Sequence, residues 1–246
     1  SDLSRSYSVF KKDINKGEEH HTGSIKQKKL TFNISMYSPS RNGEGFKPDK
    51  SKSPESSDKK PRLNDPHELF KYGSLYLEGK KVRQDYSKAL EYFEKAAALN
   101  EPNSLYTLGI IYRDGEIIEQ DYYKAREYFE KAATFNMPIA LANLGSFYHD
   151  GKGGIKDLNK AREYLEKAAN LNEPNAIYNL GIMYRDGDGV EQDYSKAFKY
   201  FEKAAKLNIP IAFVDLGSLY YEGKGVEQNY SKAKHCYEEA AKQNLP

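Results

Sequence analysis

The sequence predicts an all-α fold of about five helical hairpins over residues 65–246, preceded by a basic and mostly irregular arm over residues 1–64. Two observations indicate a repeat: glycine, proline and asparagine each recur at a step of 36 residues, and apolar residues fall at helical spacing between them. The recurring positions are Gly73, Gly109, Gly145, Gly181 and Gly217; Pro66, Pro102, Pro138, Pro174, Pro210 and Pro246; and Asn64, Asn100, Asn136, Asn172, Asn208 and Asn244. A fixed period between about 20 and 50 residues is typical of stacked-repeat proteins. The predicted units are about 65–100, 101–136, 137–172, 173–208 and 209–245.

The arm differs from the repeats in charge and composition. Residues 1–64 hold 14 Lys+Arg and 8 Asp+Glu, a net charge of +6, whereas the remaining 182 residues hold 24 and 28, a net charge of −4. The stretch from residue 38 to 62 is dominated by Ser, Pro, Lys and Gly, which indicates a linker or tail.

One segment of the arm, residues 29–37, has the alternation of a half-buried strand. Its apolar residues are Leu30, Phe32, Ile34 and Met36. A lone strand needs an edge to pair with, so we expect this segment to contact a partner by strand addition. Two alternatives stay open: the alternation arises by chance in an irregular segment, or the segment lies in the groove of its own repeats.

Each unit reads as two helices. Proline suits the first turn of a helix, and Leu105, Leu108 and Tyr112 then form one apolar stripe. Gly109 lies in mid-helix, where glycine is unfavourable, so its recurrence predicts a close crossing of two helices.

The second helix of each unit starts at an aspartate or asparagine. Asp121 is a predicted N-cap. The equivalent positions of the other units, which we call a column because they lie 36 residues apart, hold Asp85, Asp157, Asp193 and Asn229. The asparagine that closes each unit suits the left-handed conformation that ends a helix.

These residues carry a family resemblance. The strings "LGIIYRDGEIIEQDYYKAREYFEKAA" and "LGIMYRDGDGVEQDYSKAFKYFEKAA" resemble Sel-1-like repeats, relatives of the tetratricopeptide repeat, and the resemblance covers residues 65–245. It departs at Lys81, which replaces the second loop glycine of the first unit. The resemblance implies a right-handed α/α superhelical solenoid whose concave groove, lined by the first helices, holds protein partners.

The repeats alternate in pairs, because the string "LNEPN" at 99–103 returns at 171–175 and not 36 residues later. Off the apolar stripe, polar and aromatic residues alternate with small apolar ones such as Ile139, Ala142 and Val214. The predicted partner-binding residues of the groove are Asn103, Tyr106, Arg113, His149, Asn175, Tyr178, Arg185 and Tyr221. Arginine and tyrosine are enriched at binding hot spots. The alternatives are duplication of a hairpin pair without use of these columns, and helix-end solvation for the arginines.

No catalytic, metal or cofactor site is expected. The glycine-rich strings join two helices and lack the Lys-Ser/Thr of a phosphate loop. His20 and His21 lack a second pair of ligands, so structured zinc is not predicted. We also expect no small-molecule substrate, and the arm lacks the arginine and aromatic pattern that would favour nucleic acid.

The location follows from what the residues lack. The sequence has no run of about 18 apolar residues, so it predicts no membrane-spanning helix. The single cysteine, Cys236, cannot form a disulfide within the chain, which fits a reducing compartment. It stands at a position where other units have tyrosine, so we expect it to be a small buried side chain that fills space. We therefore expect a cytoplasmic protein, with a cytoskeletal location as the alternative.

The sequence thus predicts a non-enzymatic scaffold or adaptor that binds a protein partner in the groove, with the arm as a second contact. The alternatives are a structural component of a cytoskeletal or ciliary assembly and a regulatory segment of a signalling protein. The chain stops at "QNLP", which matches the start of a further unit, so we also expect either a longer parent protein or an end face covered by a partner or a second copy.

Overall fold

The computed structural model describes residues 64–79, 81–154 and 156–243. Over these residues it has ten α-helices in five hairpins and no strand, which confirms the predicted all-α repeat fold. We call the first helix of each hairpin an A helix and the second a B helix. The A helices are α1 (Pro66–Glu78), α3 (Pro102–Asp114), α5 (Pro138–Asp150), α7 (Pro174–Asp186) and α9 (Pro210–Glu222). The B helices are α2 (Tyr86–Ala98), α4 (Tyr122–Ala133), α6 (Leu158–Asn170), α8 (Tyr194–Lys206) and α10 (Tyr230–Lys242).

The turns between hairpins confirm two local predictions. Each A helix begins at its proline, whose missing N–H would be unpaired in the first turn. The residue that closes a repeat has a positive φ in the left-handed region, between 53° and 62°, at Asn100, Asn136, Asn172 and Asn208. Asparagine tolerates this conformation better than most side chains.

The string "LNEPN" gains a further explanation from these turns. Glu101 and Glu173 are buried, and each accepts the backbone N–H three residues later, from Ser104 and Ala176. The corresponding Met137 of the third repeat makes no side-chain cap. The 72-residue recurrence therefore distinguishes capped turns from uncapped ones.

The B helices start as predicted. Asp85, Asp121, Asp157 and Asp193 each accept a backbone N–H of the first turn. Asn229 likewise accepts the N–H of Lys232 at 2.9 Å. These caps satisfy donors that a helix start leaves open.

The mid-helix glycines mark the predicted crossing of A and B helices. A Cβ at Gly109 would lie 2.6 Å from ring carbon Cε1 of Phe129, and one at Gly181 would lie 2.6 Å from the same atom of Phe201. Both rings are fully buried. The recurring glycine therefore leaves the space that a bulky B-helix side chain fills, which is aromatic in four hairpins and Leu165 in the third.

In each of the first four hairpins, a tyrosine of the A helix stacks on a tyrosine of the B helix. Tyr76–Tyr92, Tyr112–Tyr128, Tyr148–Tyr164 and Tyr184–Tyr200 are stacked, with ring centroids 5.6 to 5.8 Å apart. In the fifth hairpin the second position is Cys236, which is buried, and burial raises the pKa of its thiol. This placement agrees with a packing role for the cysteine.

The loops inside the hairpins depart from the repeat pattern more than the sequence comparison indicated. The second loop glycine is present as Gly153, Gly189 and Gly225, where a Cβ at Gly153 would lie 2.3 Å from the carbonyl oxygen of Tyr122. Lys81 is not the only departure, because Ile117 also occupies this column. The expectation of one exceptional loop is therefore corrected to two.

The predicted arm contact at Leu30, Phe32, Ile34 and Met36 lies outside the described residues, as does the chain end from Asn244.

Candidate protein-binding face

Consecutive A helices are joined by two similar polar clusters. The Arg113 cluster consists of Tyr106, Arg113, Asp114 and Asn143. The Arg185 cluster consists of Tyr178, Arg185, Asp186 and Asp215. We call the surface that carries these clusters, together with His149 and Tyr221, the A-helix face.

Helical spacing places the members of each cluster together. Tyrosine and arginine are seven residues apart, about two turns, so both lie on one side of their helix. Their shared partner belongs to the next A helix, 30 residues beyond the arginine. Each cluster therefore spans a boundary between two repeats.

In the Arg113 cluster, the residue that the next A helix contributes is the neutral Asn143. Arg113 Nε donates to Asp114 Oδ1 at 2.6 Å, and its Nη1 donates to Asn143 Oδ1 at 2.8 Å. Tyr106 also bonds Asn143, and its ring lies 5.9 Å from that of Phe129. Burial raises the pKa of Tyr106 to about 12, and the nearby charge of Arg113 only partly opposes this. The phenol is therefore a neutral hydrogen-bonding group at ordinary pH.

The Arg185 cluster has a charged partner. Arg185 Nη1 donates to Asp215 Oδ1 at 2.7 Å, and the Tyr178 hydroxyl donates to Asp215 Oδ2 at 2.9 Å. The side chain of Asp215 is 15% exposed. Burial raises the pKa of Asp215, and the charge of Arg185 and both hydrogen bonds oppose that rise. Hydrogen bonding to Asp186 and the two carboxylate charges hold the pKa of Arg185 above its usual value.

His149 lies between the two clusters and also crosses a repeat boundary. Its Nδ1 lies 3.0 Å from Asp150 Oδ1, and its Nε2 lies 3.1 Å from Asp188 Oδ2 in the loop of the next hairpin. The imidazole is 27% exposed, so it is accessible as well as bonded. Tyr221 packs edge-on against Tyr230, with centroids 5.3 Å apart.

Asn103 and Asn175 are held within their own repeats. Asn103 Nδ2 donates to Glu101 Oε1 at 2.8 Å, and Asn175 Nδ2 donates to Glu173 Oε1 at 3.0 Å. Their amides thus support the capping glutamates and have one donor already engaged. The sequence interpretation did not identify Glu101 or Glu173 as part of this arrangement.

Three apolar side chains of the positions expected on the groove surface, two of them equivalent to Tyr106, are buried instead. Ile110 is 6% exposed, Ala142 4% and Val214 8%. These residues pack against neighbouring helices and offer a partner little area. The accessible part of the A-helix face is consequently more polar than the sequence alternation predicted.

The cluster partners Asn143 and Asp215 were also not predicted. The signal that could have found them is a column of polar residues within apolar helices, which holds Thr107, Asn143, Asn179 and Asp215. Asn179 bonds Ser146 of the preceding A helix at 3.1 Å, so this column also serves the middle boundary.

Within the described ranges 64–79, 81–154 and 156–243, no group of three or more His, Cys, Asp or Glu side chains could hold a metal ion. Over the same ranges, none of the helices has the length and apolar character needed to cross a membrane.

The sequence and fold both resemble known repeat proteins. The sequence model of the Sel1 repeat matches residues 69–101, 102–134, 138–173, 174–209 and 214–245. Among curated proteins, no significant match is found.

Several solved structures share the fold, among them the following two. A Sel1 repeat protein from Oxalobacter formigenes is 26% identical, with a TM-score of 0.71, over 74% of this chain and 72% of that one. The protein c5321, a protective antigen of uropathogenic Escherichia coli with an SLR fold, is 28% identical, with a TM-score of 0.69, over 73% of this chain. The match spans only 38% of the E. coli protein. Five consecutive matches and the paired-helix architecture lead to one conclusion: the chain belongs to the Sel1 repeat family.

Proposed function

We propose that this chain is a non-enzymatic scaffold that binds a protein partner through the A-helix face. Sel1 repeat proteins are generally protein–protein interaction scaffolds, which supports the class of function. The observation that carries the site is the pair of Arg clusters. Each presents a tyrosine and an arginine that are partly exposed yet held in place by hydrogen bonds.

The hydrogen bonds matter because they already restrict the rotamers of the arginine and tyrosine side chains. Binding of a partner then does not have to restrict them. Immobilising a long side chain costs about 0.5–1.5 kcal/mol during association. Arg113 and Arg185 are each held by the adjacent aspartate and by the next A helix. Guanidinium N–H groups and tyrosine rings can then contact the partner's carbonyl groups and apolar side chains.

The experiment is affinity capture from extract of the source cells, followed by mass spectrometry. The bait variants are the natural chain, the double variant Arg113→Ala/Arg185→Ala, and the control Lys95→Ala/Lys167→Ala. The control removes two exposed lysines that pair with glutamates on B helices. Circular dichroism first verifies that all three baits are folded.

We expect a set of proteins that the natural chain and the B-helix control retain and the A-helix variant loses. Equal capture by all three baits would contradict the proposed face. A parallel bait of residues 65–246 tests the arm as a second contact, which is a proposal from the sequence alone. Capture of a lattice protein that requires residues 1–64 would favour the assembly alternative. A cytoplasmic location also stays a prediction.

A further inference from the structure

One B helix carries a charge pattern unlike its counterparts. In α8 the residues Lys196, Lys199, Lys203 and Lys206 are all exposed. Their spacing of three, four and three residues places them on one side of the helix. At a rise of about 1.5 Å per residue the row extends about 15 Å. We call it the α8 lysine row.

The corresponding rows of the other hairpins mix charges. α2 has Lys88, Glu91 and Lys95 in these columns, and α6 has Lys160, Glu163 and Lys167. There the central glutamate accepts from the following lysine, at 2.5 Å for Lys95 and at 2.7 Å for Lys167.

In α8, Lys199 replaces the central glutamate. The helix therefore has two like charges one turn apart, at Lys199 and Lys203, where α2 and α6 have an ion pair. Like charges at this spacing weaken a helix. Among the described residues, the ion pairs of the row lie at its two ends, with Lys196 Nζ 3.6 Å from Asp193 Oδ2 and Lys206 Nζ 3.4 Å from Glu202 Oε1. The like-charged pair Lys199 and Lys203 lies between these two ends.

We propose that the α8 lysine row is a second binding surface, distinct from the A-helix face, for an acidic segment of a partner protein. Four ammonium groups over about 15 Å match three or four carboxylates on consecutive turns of an acidic helix or on an extended acidic segment. The row is more positive than its counterparts because Lys199 stands where α2 and α6 have glutamate. An acidic segment therefore complements the charge of this row.

The aromatic residues of α8 argue against single-stranded nucleic acid as the occupant. Such binding combines positive charge with aromatic rings on which bases stack. Here the ring of Tyr200 stacks on Tyr184, and that of Phe198 packs edge-on against Tyr220. Helix α8 also has no arginine, the residue most used for bidentate contacts to phosphate and guanine. An acidic protein segment needs neither feature.

The test measures binding of a fluorescent 15-residue oligoglutamate by the full chain, using anisotropy at low and near-physiological ionic strength. A 15-nucleotide oligothymidylate and vesicles of phosphatidylcholine with phosphatidylserine are the competing probes. Lys199→Glu recreates the ion-pair pattern of α2 and α6, so this variant should fold normally. Glu163→Lys does the reverse, because it places a third lysine between Lys160 and Lys167 on the same side of α6.

We expect Lys199→Glu to weaken oligoglutamate binding about tenfold and Glu163→Lys to strengthen it several-fold, since each variant changes the charge of one row by two units. Arg113→Ala/Arg185→Ala should leave this binding unchanged, which separates the two proposed surfaces. Three results would overturn the proposal: no oligoglutamate binding, equal binding by Lys199→Glu, or tighter binding of oligothymidylate or of the anionic vesicles.

Discussion

At the scale of single residues, Ser104 is the least satisfied position of the described core. Its side chain is fully buried, and its hydroxyl has no hydrogen-bond partner. The same column holds Ala140, Ala176 and Ala212, all fully buried. A buried hydroxyl without a partner costs about 1–3 kcal/mol.

Ser104→Ala should therefore raise the free energy of unfolding by about 1 kcal/mol, because it removes the unpaired hydroxyl and keeps the packing. Urea unfolding followed by circular dichroism measures the change. The matched control is Ala176→Ser, which adds the same hydroxyl to the fourth repeat and should lower stability by a similar amount. Loss of stability in Ser104→Ala would mean that the hydroxyl has a partner after all.

The capping glutamates permit a second test at this scale. Glu101→Met copies the turn of the third repeat but leaves Asn103 without its acceptor. We expect a loss of about 1 kcal/mol, typical of a removed helix cap.

The double variant Glu101→Met/Asn103→Ile reproduces the string "MPI" of the third repeat. It should recover part of that loss, because no amide is left without its acceptor. A double-mutant cycle from denaturant unfolding measures the coupling between the two positions. A coupling of zero would show that the Asn103–Glu101 bond contributes nothing.

At the scale of elements, the crossing of A and B helices depends on the space over the mid-helix glycine. Gly109→Val should destabilise the protein by roughly 1–3 kcal/mol, since its side chain would overlap the buried ring of Phe129. Thermal unfolding measures the effect. The control Ala98→Val adds the same side chain at an exposed helical position, where the cost is at most about 0.7 kcal/mol. Equal losses in both variants would rule out the steric explanation.

At the scale of the whole repeat array, stability depends on boundaries between neighbouring units. Asp215 joins the fourth and fifth repeats through Arg185 and Tyr178. Asp215→Ala should cost about 1–3 kcal/mol, because it leaves two donors without their acceptor. Hydrogen exchange should then show earlier opening of α9 and α10 than of α3 and α4.

Asp215→Asn is the informative control for that boundary. Asn143 fills the same role beside Arg113 and Tyr106, so an amide can serve as the acceptor. We expect this variant to lose less stability than Asp215→Ala. If the two variants lose equal stability, the charge rather than the hydrogen bonding holds the boundary.

The features that the sequence predicted correctly are those repeated in every unit. The 36-residue period, the left-handed conformation at Asn136 and the close crossing at Gly109 each follow from the chemistry of one residue type at one recurring place. The cluster partners Asn143 and Asp215 could not be inferred in the same way. Their role depends on which side chain of the next A helix lies opposite an arginine. Packing between repeats decides this, and a repeat pattern in the sequence does not show it.

The stacked tyrosine pairs have an optical consequence. The chain has no tryptophan, so tyrosine dominates its ultraviolet absorption near 280 nm. Nearly parallel rings with centroids 5.6 to 5.8 Å apart couple their electronic transitions, as in the four pairs from Tyr76–Tyr92 to Tyr184–Tyr200. The fifth hairpin has Cys236 in place of the second ring. Near-ultraviolet circular dichroism should thus report on the first four hairpins through this coupling, so that a fraying fifth hairpin leaves most of the spectrum intact.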